Sequence, residues 1–260
     1  MRYRIPLLAF WILSLTQFAV AQEASEKPLY QPAANEATIT GNITVTGTVP
    51  KPRRIDTAAD PICGISGRLY TDDFVVHAGN LQYAFVYVKS DSLANYRFAM
   101  PESDAVLVQR NCQMSPHVFG MRAGQQLQVV NADQTMHNVH PTPRNNPEWN
   151  QTHPPGAPPI VKTFKRAEVM IPIKDNQHPW ERAYVGVMDH PFFAVTDESG
   201  RFEIRGLPPG TYTLVVWHQQ LGQKESEITI APNEMRNADF TFDADSKKSE
   251  SPAQQINVRP

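Results

Sequence analysis

The chain is short of cysteine, of charge and of long apolar runs. Its 260 residues hold two cysteines, 19% are charged, and the net charge is −2. With no positive excess, a nucleic-acid partner has no electrostatic support. Cys63 in DPICG and Cys112 in RNCQM lie far apart, which excludes a metal cage built on closely spaced cysteines. Also missing are a Gly-x-Ser-x-Gly elbow, an HExxH pair and a phosphate-cradling glycine loop, and carboxylates such as Asp189 and Glu181 have no evident acid/base partner. These absences argue against an enzyme and for a non-catalytic binding protein. Glycine is scarcer than proline, 13 against 23, which favours short strands and stiff turns over long helices.

What apolar run there is lies at the N-terminus. Arg2 and Arg4 precede a stretch from Ile5 to Val20, and Ala19-Val20-Ala21 leads into Gln22, the layout of a cleavable secretory signal. That run is short for the ~20 residues that span a bilayer, so no membrane span is expected once the signal is removed. Export to the periplasm or the exterior follows as the expectation, leaving 260 − 21 = 239 residues. In such a compartment Cys63 and Cys112 are expected to form a disulfide, closing a loop of roughly 50 residues worth roughly 4 kcal/mol. The competing reading makes Cys112 a copper thiolate, although it precedes His117 and the histidines beyond.

Residues 22–38 are polar and carry Pro28 and Pro32, so they read as a flexible leader. Alternation then sets in with Ile39, Ile43 and Val45, and LQYAFVYV from Leu81 to Val88 is the best candidate for a central strand. Further strands are expected over 105–110, 124–131, 167–173 and 182–188. Residues 141–159 contain seven prolines and read as a surface loop. Beyond residue 243 the chain is charged and polar and reads as a disordered tail.

GQQLQVVNADQTMHNVH, from Gly124 to His140, resembles the strand and turn that deliver the first histidine ligand in cupredoxins of the plastocyanin and azurin type. On that resemblance His137 takes the first ligand position. The family then uses Cys-x-x-His followed shortly by Met; here the residues are Asp175-Asn176-Gln177-His178, and Pro179, Trp180 and Glu181 contain no Met. The resemblance implies a cupredoxin-like Greek-key sandwich with a degenerate site. Lacking the soft thiolate that defines a blue centre, the site is expected to hold copper or zinc, if any metal, through His137, His140, Asp175 and His178, with His117 and His190 as weaker additions. The bland alternative is that these histidines are hydrogen-bonding residues with no metal at all.

VTDESGRFEIRGLPPGTYTLVV, from Val195 to Val216, resembles the carboxypeptidase regulatory-like, transthyretin-like β module through Asp197, Gly200 and Phe202, then Leu207-Pro208-Pro209-Gly210 and Tyr212. The expected organisation is therefore all-β: a signal peptide 1–21, a leader 22–38, a cupredoxin-like domain 39–190, a regulatory-like module 191–243 and a tail 244–260. Such a module implies adhesion or scaffolding. An envelope protein or a carbohydrate is thus the expected partner, with Trp149 and Trp180 as candidate contact residues. A metal-free binding module and a metal-dependent enzyme are the alternative readings.

Overall fold

The computed structural model describes residues 27–246. The expected signal peptide and most of the expected tail lie outside the described residues. Strands in chain order are β1 (Ala37–Thr46), β2 (Val76–His77), β3 (Asn80–Leu81), β4 (Phe85–Lys89), β5 (Ala105–Arg110), β6 (Gln113–Ser115) and β7 (Val118–Arg122). They continue with β8 (Gln126–Asn131), β9 (His137–Pro141), β10 (Gln151–His153), β11 (Ile160–Thr163), β12 (Glu168–Lys174) and β13 (Arg182–Met188). The last are β14 (Phe193–Val195), β15 (Arg201–Leu207), β16 (Gly210–His218), β17 (Gly222–Ile230), β18 (Met235–Asn237) and β19 (Phe240–Asp243). No α-helix occurs among the described residues, and the protein is all-β, as composition and pattern predict.

The strands form four sheets stacked as two sandwiches. One sandwich joins β10-β9-β12-β13-β7 to β11-β8-β5-β6 across a core that includes Leu107, Leu127, Val129, Val139, Ile171 and Val185. The other joins a sheet of β15-β1-β3-β2, to which β18 and β19 add along β1, to β14-β4-β16-β17. This grouping differs from the linear division at residue 190. Strands β1 to β4 close the second sandwich: Ile39, Ile43, Leu81, Val86 and Val88 share a core with Ile204, Leu214 and Phe242. In chain order, strands β5 to β13 therefore lie between the two parts of the second sandwich. Within the leader, Leu29 bridges to Arg97 and Tyr30 packs against Tyr96 and Phe98.

Period-2 alternation explains how the sandwiches join. Along β4 and β16, Val86, Val88, Leu214 and Val216 point into the regulatory-like core, while Phe85, Tyr87, Val215 and Trp217 face the sheet containing β7 and β13. A strand buried on both faces must be apolar at nearly every position, which is why FVYV is continuous rather than alternating. Phe85 is fully buried, contributing about 1.5–3 kcal/mol by burial. Its ring lies so close to Gly186 that a Cβ there would come within 2.3 Å, and Phe193 crowds Gly120 to 2.2 Å in the same way. Two missing side chains on β7 and β13 thus seat two aromatic rings and lock the sandwiches together.

Candidate metal centre

Three loops build the centre. The first follows β8: Asn131 Nδ2 donates to the carbonyls of Thr135 (2.9 Å) and His153 (2.8 Å), and Asn131 Oδ1 accepts from the Asp133 N–H at 2.9 Å. This side-chain-closed turn fixes the entry of β9, whose first residue is His137. The second loop, Asp175 to Glu181, is closed by the Asp175 N–H to the Glu181 carbonyl (3.1 Å) and the Glu181 N–H to the His178 carbonyl (2.8 Å). Asp175 Oδ1 accepts from the backbone of Gln177 (2.7 Å) and His178 (3.1 Å), turning the chain sharply. The third is the 3-10 turn Pro61–Gly64, capped by Asp60 and tied down by the Cys63–Cys112 disulfide.

Four Lewis-basic atoms meet where the loops converge. His137 Nδ1 lies 3.0 Å from Asp175 Oδ2, 3.0 Å from Glu181 Oε2 and 3.1 Å from His178 Nδ1. His178 Nδ1 lies 3.3 Å from Asp175 Oδ2 and 3.8 Å from Glu181 Oε2. Both outer ring nitrogens meet carboxylates, His137 Nε2 to Asp133 Oδ2 at 2.9 Å and His178 Nε2 to Asp60 Oδ2 at 3.1 Å. With each Nε2–H donating outward, each Nδ1 faces the centre, the arrangement by which outer carboxylates orient ligating histidines. The side chains of His137, Asp175 and Glu181 are fully buried and that of His178 is nearly so.

The electrostatics follow from that crowding. Burial disfavours a charged His137, yet the hydrogen bond to Asp175, the close Glu181 carboxylate and the hydrogen bond to Asp133 outweigh it and push the imidazole up to about 10. His178 is raised by Asp175 and Asp60 against burial and against His137. Asp175 is penalised by burial, but hydrogen bonds from both imidazoles and from the Asn138 and His178 N–H groups hold it well below the usual carboxylate range. Glu181 goes the other way, raised by desolvation that His137 only partly offsets. Although Glu181 Oε2 is at ion-pair distance from His137, neither of its buried oxygens receives a well-directed hydrogen bond.

Of the residues expected from sequence, His137, Asp175 and His178 come together. His140 does not join them. Residues 137 and 139 share one face of β9, so His140 points to the other, where its Nε2 meets Glu148 at 2.6 Å and its Nδ1 meets Asn176. His117 is buried elsewhere, receiving the Gln219 amide on Nε2 at 2.7 Å beside Asp72 and the Tyr83 and Tyr184 rings. His190 stacks on Phe192. The disulfide forms as expected, and with both cysteines paired Cys112 is no copper thiolate.

Trp180 donates to the Cys112 carbonyl and packs on His178, and Trp149 lies beneath Lys162 against the core, so neither forms an open platform. Sequence reasoning missed Glu181, Asp133 and Asp60. Glu181 had a signal, since it follows His178 at the same three-residue interval by which His178 follows Asp175. Asp60, 118 residues from its partner, had none.

Among known proteins, a family model for the carboxypeptidase regulatory-like domain matches residues 173–243. The match begins at the end of β12, crosses β13 and runs to β19. No curated protein matches the chain. Solved structures with similarity include a purple cupredoxin from Nitrosopumilus maritimus, 18% identical, covering 33% of this chain and all of that one, with a TM-score of 0.29. Amicyanin from Paracoccus versutus is 18% identical over 40% of this chain and 97% of its own, with a TM-score of 0.29. A copper-containing nitrite reductase from Thermus scotoductus is 15% identical over 35% of this chain and 23% of its own, with a TM-score of 0.31. At these identities and TM-scores no ligand or activity passes from them to this chain. Residues 173–243 carry a carboxypeptidase regulatory-like domain, in an all-β chain whose structural neighbours are cupredoxins.

Proposed function

We propose that this is an exported, non-catalytic β protein that holds one divalent cation, zinc or Cu(II), through His137, Asp175, His178 and Glu181. One observation carries the reading. A tetrahedron with metal–ligand distances near 2.0 Å has edges of about 3.3 Å. Five of the six separations among these atoms are 3.0, 3.0, 3.1, 3.3 and 3.8 Å. A single ring N–H on His137 cannot serve two carboxylates and a second imidazole at once, whereas a cation satisfies all four together. It also gives Glu181 a partner for a buried oxygen that otherwise has no directed hydrogen bond.

The donor set decides the chemistry. Two imidazoles and two carboxylates are borderline-to-hard ligands suited to Zn(II) or Cu(II), and no sulfur is present to favour Cu(I) or fast electron transfer. When bound, such an ion supplies a positive charge that ties the three loops together. Asp133 and Asp60 hold the imidazoles in the tautomer that presents Nδ1. All four ligands are enclosed, leaving no open face for a substrate, which supports a structural or storage role over catalysis. The signal-like N-terminus and the disulfide support export to an oxidising compartment; among the described residues no helix is long and apolar enough to cross a membrane.

Elemental analysis of untagged protein tests this directly. One equivalent of zinc or copper is expected, lost in His178→Ala and in Asp175→Ala, with no intense visible band in the copper form. Protein that remains metal-free after incubation with either ion, as judged by the same analysis, overturns the proposal.

A further inference from the structure

The two sandwiches meet along a face that carries Lys174 and Arg182, the chain neighbours of buried Asp175 and Glu181. A cleft of about 780 Å³ opens between the β12–β13 pair and the β16–β17 hairpin, within the range of small-molecule sites. Its charge is one-sided: Arg144, Lys174 and Arg182 line it against a single acid, Glu168, so 3 − 1 = +2. Glu168 is already engaged, accepting from the Arg144 and Asn145 N–H groups and from Asn146 Nδ2. Among the described residues no carboxylate forms an ion pair with any of the three cations; the Lys and Arg ion pairs are Lys89–Glu225, Arg205–Glu203 and Arg236–Glu234, all elsewhere.

The same cleft has an aromatic wall. Tyr184 and Trp217 approach with ring centroids 5.2 Å apart and lie half-buried, one from each sandwich. Because Phe85 seated on Gly186 fixes the sandwiches against each other, the spacing between this wall and Lys174 and Arg182, on β12 and β13, is set by the fold, while Arg144 reaches the cleft from the loop after β9. Gln219 and Gln223 complete the β16–β17 side, their amides engaged with His117 and Glu225. Cations with no carboxylate partner suit an anionic carboxylate, although Arg182 Nε also donates to the Pro179 carbonyl at 3.2 Å, and an aromatic face suits the C–H face of a sugar ring.

We propose that this cleft binds an acidic saccharide of one to three residues, its carboxylate held by Arg144, Lys174 and Arg182 and a sugar ring laid on Trp217 and Tyr184. This site is independent of the metal reading, and metal content measured in the same samples keeps the two apart.

The test is titration calorimetry on the full chain with trigalacturonate, alongside maltotriose as the neutral match and benzoate as an aryl carboxylate. Trigalacturonate is expected to bind with a Kd of about 1 mM or tighter, with quenching of tryptophan fluorescence, and to weaken as salt is raised. Arg182→Gln and Arg144→Gln, both exposed and outside the cores, should each weaken binding about tenfold, and Trp217→Phe should remove most of the quenching. Absence of trigalacturonate binding, equal binding of maltotriose, binding of benzoate alone, or affinity unchanged in both arginine variants overturns the proposal.

Discussion

Replacing Glu181 by Gln should move the metal-free and metal-loaded proteins in opposite directions. In the metal-free protein both buried Glu181 oxygens lack a directed hydrogen bond, and desolvation raises the carboxyl above its ordinary range. Removing that charge, and supplying an amide that can donate to Asp175 Oδ2, relieves an unsatisfied buried acceptor worth about 1–3 kcal/mol. Metal-free Glu181→Gln should therefore be more stable by about 1–2 kcal/mol, a rise in Tm of roughly 2–8 °C for a chain of this size. With metal the order reverses. Free ion at a hundredfold excess over Kd stabilises the native state by about 2.7 kcal/mol, or roughly 5–11 °C. The variant should lose most of that, because one of four ligands is gone. Thermal scans of both proteins with a chelator and with saturating zinc read the two signs separately. If Glu181→Gln loses as much stability in chelator as in zinc, the carboxylate is serving a hydrogen-bond network and the metal argument fails.

Four further outcomes follow from the geometry. His140→Ala should keep the full metal content that His178→Ala loses, as measured by elemental analysis, because His140 lies on the opposite face of its strand. Asp60→Asn should weaken metal binding by about 10–100-fold in a competition titration, since Asp60 Oδ2 orients the His178 ring from outside. Gly186→Ala should cost about 1–3 kcal/mol in denaturant unfolding, since the new Cβ meets the pinned Phe85 ring. His190 is held down to about 4 by burial and then by Arg122, so it stays neutral in the fold while the unfolded chain protonates it near 6.5. Stability from this group is whole above pH 6.5 and falls by up to about 3 kcal/mol as pH drops from 6.5 to 4. His190→Asn should flatten that decline, and an unchanged slope refutes the assignment.

Much of the centre was legible because it is local. Asn131, His137, Asp175 and His178 lie in two short segments whose turn chemistry is written in the residues themselves. The disulfide was legible from cysteine count and expected compartment. His140 lies on the opposite face from His137 because a three-residue interval separates positions across the faces of a strand, and the strand begins at His137 itself. Glu181 was passed over because the expected residue there was a thioether; its carboxylate joins the cluster only when the fold brings it beside both Nδ1 atoms. Asp60 reaches the site through the Cys63–Cys112 link and a turn far away in sequence, a placement that no local pattern encodes.

The sequence alone determined the strand-rich character, the two turn motifs and three of the four converging side chains, because strand period, glycine and proline placement and Asx turns act over a few residues. Which strands share a core was decided by tertiary structure. The opening strand Ala37–Thr46 pairs with Arg201–Leu207 across more than 150 residues, and an apolar run such as Phe85–Val88 reads the same whichever sheet covers it. Long-range pairing depends on the shape of both faces at once, here on two bare glycines receiving two aromatic rings, and that complementarity exists only when the chain is folded.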